Sequence, residues 1–323
     1  MKRWLGLILV CGLSALAGPV SATDYKPAPG TNEVAVVRYD WTDAVRNREV
    51  PVKFYFPRTG PGPFPVIIFS HGLGGSREGY QYLGEDWASH GYVSVHLQHL
   101  GSDEAVWKNA GLFHIKSAMR ESFSDPQNAR DRARDVSFAI DQLEKLNRDS
   151  SPLQHRLDLS RIGMAGHSFG AETALMVAGE RAPELNEDLT DPRIKAAIAM
   201  SPPIPKLKSS WNQAFAPIRI PIFVMTGTLD TLDTPANERR IAYDKTSAPG
   251  TCLVIFNGLD HMTFSGHVRL TERAKDRKFH PLICDATTAF WDAHLRGNAQ
   301  AKAWLEKGGF AALMGEAGTF ELK

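Results

Sequence analysis

Six short apolar runs recur through the chain: PVIIFS (65–70), YVSVHLQH (92–99), IGMAG (162–166), IKAAIAM (194–200), PIFVMTG (221–227) and CLVIFNG (252–258). Most are too short for a buried helix and too continuous for a strand with one wet face. They read as strands covered on both sides, the pattern of a mostly parallel sheet. Helical spacing fills the gaps between them. GYQYLGEDWASHG (79–91) follows the first run, and between Asp131 and Asn147 the residues Val136, Ile140, Leu143 and Leu146 fall on one stripe. Further helices are expected from about Ala171 and over roughly Pro281 to Leu295. Parallel neighbours need long crossovers, and helices supply them on both faces of the sheet. The chain is therefore read as α/β.

Ahead of this alternation, VAVVRYDW (34–41) and EVPVKFYF (49–56) flank the polar link TDAVRNR and read as an antiparallel hairpin. Residues 101–128 are less regular, with Trp107, Leu112, Phe113, Met119 and Phe123 scattered among polar neighbours. No repeat, low-complexity tract or long linker divides the chain, so residues 23–323 are expected to form a single domain. With 323 residues, 43% of them hydrophobic, a substantial core is available. The formal net charge of +1, without a long run of one sign, leaves no footprint for nucleic acid or an anionic membrane surface.

The N-terminus has its own pattern. Lys2 and Arg3 precede an apolar run from Trp4 to Ala17, followed by the small-residue site Val20-Ser21-Ala22. Residues 1–22 thus resemble a secretory signal peptide, which implies a periplasmic or secreted protein. The run falls short of the ~20 apolar residues that span a bilayer, so stable membrane insertion is not expected. Cys11 lies within this run, after Val10 rather than after the small residue of a lipidation site. An oxidising compartment permits a bridge between the remaining cysteines, Cys252 and Cys284. Cys252 opens a strand and Cys284 falls in the next helix, a placement that weighs against the bridge without closing the question.

The run IGMAG leads straight into Gly166-His167-Ser168-Phe169-Gly170 and then a helical segment. A serine on a tight strand-to-helix turn, flanked by glycines because side chains there would collide, is projected above the carboxyl edge of the sheet. Its hydroxyl needs a base, and the base needs an orienting acid. Asp230 stands just past the strand PIFVMTG and His261 just past CLVIFNG, 62 and then 31 residues further on. Asp233 is a rival acid three residues further out, and Asp260 suits a surface or capping role better than partnership with its own neighbour. Upstream, His71-Gly72-Leu73-Gly74-Gly75 follows PVIIFS. This loop lacks the Lys-Ser/Thr ending of a nucleotide loop and does not fit the dinucleotide pattern.

Taken together, FSHGLGGSR, GHSFGA, GTLD and GLDHMTF resemble the serine α/β-hydrolases grouped with dienelactone hydrolase-like and platelet-activating-factor acetylhydrolase-like esterases. The similarity covers most of the chain and includes the FWDAHLRG helix near its end. It implies an α/β-hydrolase fold, a mostly parallel sheet with an N-terminal antiparallel hairpin and helices on both faces. It further implies cleavage of short- to medium-chain or lipid-like carboxylic esters through a Ser168-His261-Asp230 acyl-enzyme mechanism. The backbone N–H groups of Leu73 and Phe169 would form the oxyanion hole. True dienelactone hydrolases use a cysteine where this chain has Ser168, so their activity is not carried over. The resemblance extends to secreted polyester- and cutin-cleaving hydrolases.

Two insertions after strand ends are natural sources of pocket walls: residues 101–128, with Trp107, Phe113 and Phe123, and 202–217, with Trp211 and Phe215. His96 and His99 lack a third ligand, and no metal or other cofactor is expected. The competing reading from another class is a catalytically inactive binding protein on a hydrolase scaffold. Among enzymes, a polyester or long-chain lipid hydrolase and an amidase stand behind the esterase.

Overall fold

The apolar runs assemble side by side, as their lack of alternation requires. The computed structural model describes residues 25–27, 29–182, 185–266 and 277–323; the signal-peptide expectation for 1–22 lies outside them. β1 (Val34–Asp43) and β2 (Arg48–Pro57) form the expected hairpin. They are followed by β3 (Phe64–Ser70), β4 (Val93–Leu97), β5 (Leu157–His167), β6 (Ile194–Met200), β7 (Ile222–Leu229), β8 (Cys252–Asp260) and β9 (Gly318–Leu322). All nine belong to one sheet in the order β1-β2-β4-β3-β5-β6-β7-β8-β9. β3 to β8 run parallel, while β2 pairs antiparallel with β4 and β9 pairs antiparallel with β8.

Alternate side chains along β3 enter opposite cores. Val66 and Ile68 join the cluster formed with the helices Pro126–Arg148 and Phe169–Ala178, including Val136, Ile140 and Leu175. Ile67 and Phe69 join the other, with Trp87 of the helix Gln81–Ser89 and Phe290 and Trp291 of the helix Phe279–His294. The sheet order reverses at β3, because β4 lies on one side of it and β5 on the other. Loops leaving the carboxyl ends of β3 and β5 therefore diverge and open a crevice, the usual ligand position in such sheets. The glycine loop and Ser168 are those two loops.

Several elements differ from the sequence expectation. The amphipathic helix starts at Pro126, because Asp125 accepts a hydrogen bond from Gln127 N (2.8 Å) and proline suits the first helical turn. The irregular stretch contains the short helices Ala105–Lys108 and Ile115–Ser124. Beyond the last expected helix lie Ala299–Glu306, Gly309–Met314 and the edge strand β9. Cys252 and Cys284 are both free thiols. Among the described residues, no helix is long and apolar enough to cross a membrane.

Ile68 is fully buried between Val95 of β4 and Met164 of β5. Ile68→Ala should cost about 2–5 kcal/mol in urea unfolding. Val36→Thr, on the half-exposed β1, should stay within ~0.5 kcal/mol of the parent.

Candidate active site

Two glycines bring a helix end against a strand end. A Cβ on Gly166 would stand 2.0 Å from the Gly170 carbonyl oxygen, and one on Gly170 would stand 1.9 Å from that of Ser70. No side chain fits at either position. Between them Ser168 takes φ 54° and ψ −119°, a strained conformation for a residue with a Cβ. Its N–H donates to Met200 O (2.9 Å), which extends the β5–β6 pairing up to the turn. Although Ser168 is the N-cap residue, its hydroxyl makes no capping bond. A serine held in this way is presented, not used for local structure.

Asp230 and His261 meet at adjacent strand ends. His261 Nδ1 donates to Asp230 Oδ1 (2.9 Å). Asp230 is fully buried and also accepts from Ser201 Oγ (2.5 Å) and Thr226 Oγ1 (2.9 Å), with Arg239 Nε 3.1 Å away. Burial works to raise its pKa, but the His261 hydrogen bond and the Arg239 charge hold it below the usual carboxylate range. Because Nδ1 must carry the proton to donate, Nε2 of His261 is left as a bare acceptor. Asp233, the rival acid, is exposed in a left-handed turn. Asp260 caps the next turn by accepting from the Met262 and Thr263 amides, the role expected of it. Ser201, Thr226 and Arg239 were not singled out in the sequence. Only Ser201, at the end of β6, carried a positional signal.

The glycine loop is tight. Gly75 N–H donates to Gly72 O, Gly74 N–H to Ser102 O, and Gly72 N–H to Tyr80 Oη. A buried network lies beneath the loop. Arg132, fully buried, donates to Ser70 Oγ (3.0 Å), Ser102 Oγ (2.8 Å), Thr173 Oγ1 (3.0 Å) and the His71 carbonyl, and stacks on the Phe169 ring. Ser70 Oγ in turn meets His99 Nε2 (2.8 Å), whose Nδ1 meets Asp135 (2.9 Å). This second Ser-His-Asp chain is fully buried, and the Arg132 cation occupies the serine oxygen. It supports the loop and cannot reach a substrate. Both ring nitrogens of His96 are likewise occupied, by Gly79 O and Ser94 Oγ. Among the described residues, no group of His, Cys, Asp or Glu is arranged to hold a metal ion.

A cavity of about 510 Å³ opens beside the helix that starts after Ser168, lined by Phe123, Glu172, Pro203, Ile204, Pro205 and Leu207 among others. Glu172 lies one turn after Ser168 and Phe123 packs edge-on against Phe169 (centroids 5.0 Å), so the cavity lies near the elbow, although Ser168, Asp230 and His261 are not among its lining residues. Both insertions contribute; of the five expected aromatics Phe123 lines the cavity, while Trp107, Phe113, Trp211 and Phe215 do not. Phe215 is fully buried in the core and Phe113 is 94% exposed, so neither forms a wall. Trp211 donates to Pro205 O and Trp107 to Gly74 O, which ties their own segments down. Aromatic content marked the right insertions, but whether each ring turned inward depended on packing.

A sheet of this order, with a serine on a tight strand-to-helix turn after β5 and a hydrogen-bonded aspartate–histidine pair after β7 and β8, has the α/β-hydrolase fold. Two family models match in succession: platelet-activating factor acetylhydrolase, isoform II, over residues 35–113, and PET hydrolase-like over residues 116–272. The chain is 29% identical to the platelet-activating factor acetylhydrolase of Cavia porcellus over 48% of its own length and 38% of the relative's. It is 26% identical to cutinase 2 of Thermobifida cellulosilytica, covering 59% of this chain and 56% of that one. Cutinase est1 of Thermobifida alba is 29% identical over 55% of this chain and 46% of that one. The chain thus spans about half the length, or less, of these curated relatives. The resemblance seen in the motifs, to serine hydrolases of the platelet-activating-factor acetylhydrolase-like branch, is met by two family models, each matching a separate part of the chain.

Gly170→Ala should cost about 3 kcal/mol or more, read as a lowered melting temperature, because backbone stands on both sides of the new methyl. Acid should also destabilise the fold. Burial, aided by the Arg132 charge, holds His71 well below its ordinary pKa and His99 at about 4; burial holds His96 at about 3. His167 is also well below, through burial and then the His261 charge. Each is neutral when folded and takes up a proton near pH 6.5 when unfolded. Stability should therefore be full above pH ~6.5 and fall toward pH 4, by up to about 1.4 kcal/mol per pH unit for each histidine. Urea titrations at pH 7.5, 6 and 5 measure the slope; a flat profile would contradict it.

Proposed function

We propose that this protein is a serine esterase that cleaves short- to medium-chain or lipid-like carboxylic esters. The observation that carries this reading is the Asp230–His261 hydrogen bond at the strand ends, with His261 bonded through its carbonyl to His167, the residue before a strained serine whose hydroxyl makes no capping bond. Ser168 Oγ attacks the ester carbonyl while His261 Nε2 takes its proton. Asp230 holds the tautomer and stabilises the imidazolium, and the Leu73 and Phe169 N–H groups receive the oxyanion. Water, activated by His261, then releases the acyl group from Ser168. Neither half-reaction calls for a cofactor.

The cavity beside the elbow has the size of a small-molecule site, and its Phe, Pro, Ile and Leu walls suit an apolar acyl or alcohol group. A second reading, polyester or cutin cleavage, is favoured by the PET hydrolase-like match over the segment that includes Ser168 and Asp230. The basic, apolar and small-residue pattern of residues 1–22 supports export to the periplasm or beyond.

Ser168→Ala should fold normally, lose labelling by a fluorophosphonate, and hydrolyse p-nitrophenyl butyrate at least 10³-fold more slowly than the parent. Wild-type turnover in that variant would sink the proposal. Rates on esters of rising acyl length, beside a polyester film and a matched anilide, separate the esterase from the polymer hydrolase and the amidase.

A further inference from the structure

Three loops have to keep register for the chemistry above, and one hydrogen-bonded chain joins all three. Gly72 N–H donates to Tyr80 Oη (3.2 Å); Gly72 is the residue before Leu73. Tyr80 Oη lies 2.8 Å from His167 Nδ1, and His167 immediately precedes Ser168. His167 Nε2 lies 2.9 Å from the backbone carbonyl of His261. Each direction is forced. A carbonyl only accepts, so His167 carries its proton on Nε2 and its bare Nδ1 accepts the Tyr80 hydroxyl; the Tyr80 oxygen is then free to accept from Gly72. Tyr80 and His167 are 95% and 98% buried, so water does not compete for these bonds.

The geometry around the chain is equally committed. A Cβ on Gly72 would stand 3.2 Å from His167 Nδ1 and 3.3 Å from Tyr80 Oη, closer than most contacts allow. Tyr80 itself sits at φ 59° while its ring packs on Phe69 (centroids 4.5 Å). The His167 and His261 rings are 4.7 Å apart. A protonated His167 would oppose the imidazolium that forms on His261, and burial holds His167 neutral.

We propose that Tyr80 and His167 are positioning residues for the esterase reaction: their bonds hold the oxyanion loop and the base loop in register on either side of Ser168. The inference rests on the esterase reading. Neither residue touches the substrate; both act through the Leu73 amide and His261. They should matter in the transition state, when the oxyanion and the imidazolium exist together, and little when substrate binds.

The test is Tyr80→Phe, which removes one oxygen and keeps the packed ring, with His167→Gln and the double variant. Active sites are titrated with a fluorophosphonate, so that turnover is counted per folded site. On p-nitrophenyl butyrate, Tyr80→Phe should lower kcat about 10- to 100-fold with KM changed less than twofold. The double variant should be no slower than the slower single one, as expected of residues that act as a unit. A purely structural role would lower the titrated fraction and the melting temperature but leave kcat per site unchanged, and that result would overturn the proposal. So would multiplicative losses in the double variant. If Ser168→Ala is inactive while Tyr80→Phe turns over normally, only the positioning role fails; an active Ser168→Ala removes the esterase reading itself.

Discussion

The contact on which the rest of the site depends is the one between Gly170 and Ser70. Where a Cβ would stand 1.9 Å from a backbone oxygen, the helix after β5 is pressed directly against the end of β3. That approach sets the depth of the elbow, and with it the height of Ser168 above the sheet. It also brings the two loops that diverge at the topological switch within reach of each other. Without it, the helix that begins at Phe169 would not lie against the start of the glycine loop.

Around that contact the protein keeps an unusual amount of polarity out of water. Asp230 is surrounded by Ser201, Thr226, Arg239 and His261, and Asp135 by Arg46, Arg48 and His99. Buried charges of this kind are tolerated because nearly every lone pair and N–H has a partner. Such pairing fixes the orientation of each carboxylate and of the imidazole bonded to it. The cost falls at low pH, where buried neutral histidines lose ground to their protonated forms in the unfolded chain.

Much of the architecture was legible in the sequence because its causes are local. Continuous apolar runs mark strands covered on two faces, and each was found where expected. Asp230 and His261 could be picked out because a strand end is a fixed place in an α/β sheet. Other features had local signals that periodicity obscured: Asp125 followed by Pro126 is a helix start, though the apolar stripe begins later. β9 had no such signal. GTFEL is a weak strand alone, and it forms because β8 offers an unpaired edge. The inward or outward turn of Phe113, Trp211 and Phe215 was equally hidden, since insertion loops fold by packing rather than by period.

What the sequence by itself determined is the order of the parts: strand, glycine loop, strand, the turn at Ser168, then Asp230 and His261 at successive strand ends. Backbone sterics and side-chain periodicity act over a few residues, and they are written in the chain directly. Only the tertiary structure decided which groups hold those parts together. Tyr80 meets His167 across 87 positions, and Arg132 reaches Ser70 across 62. Such pairs arise where a sheet edge, a helix and two loops converge. A tyrosine or an arginine in the linear chain carries no mark of the partner that burial will supply.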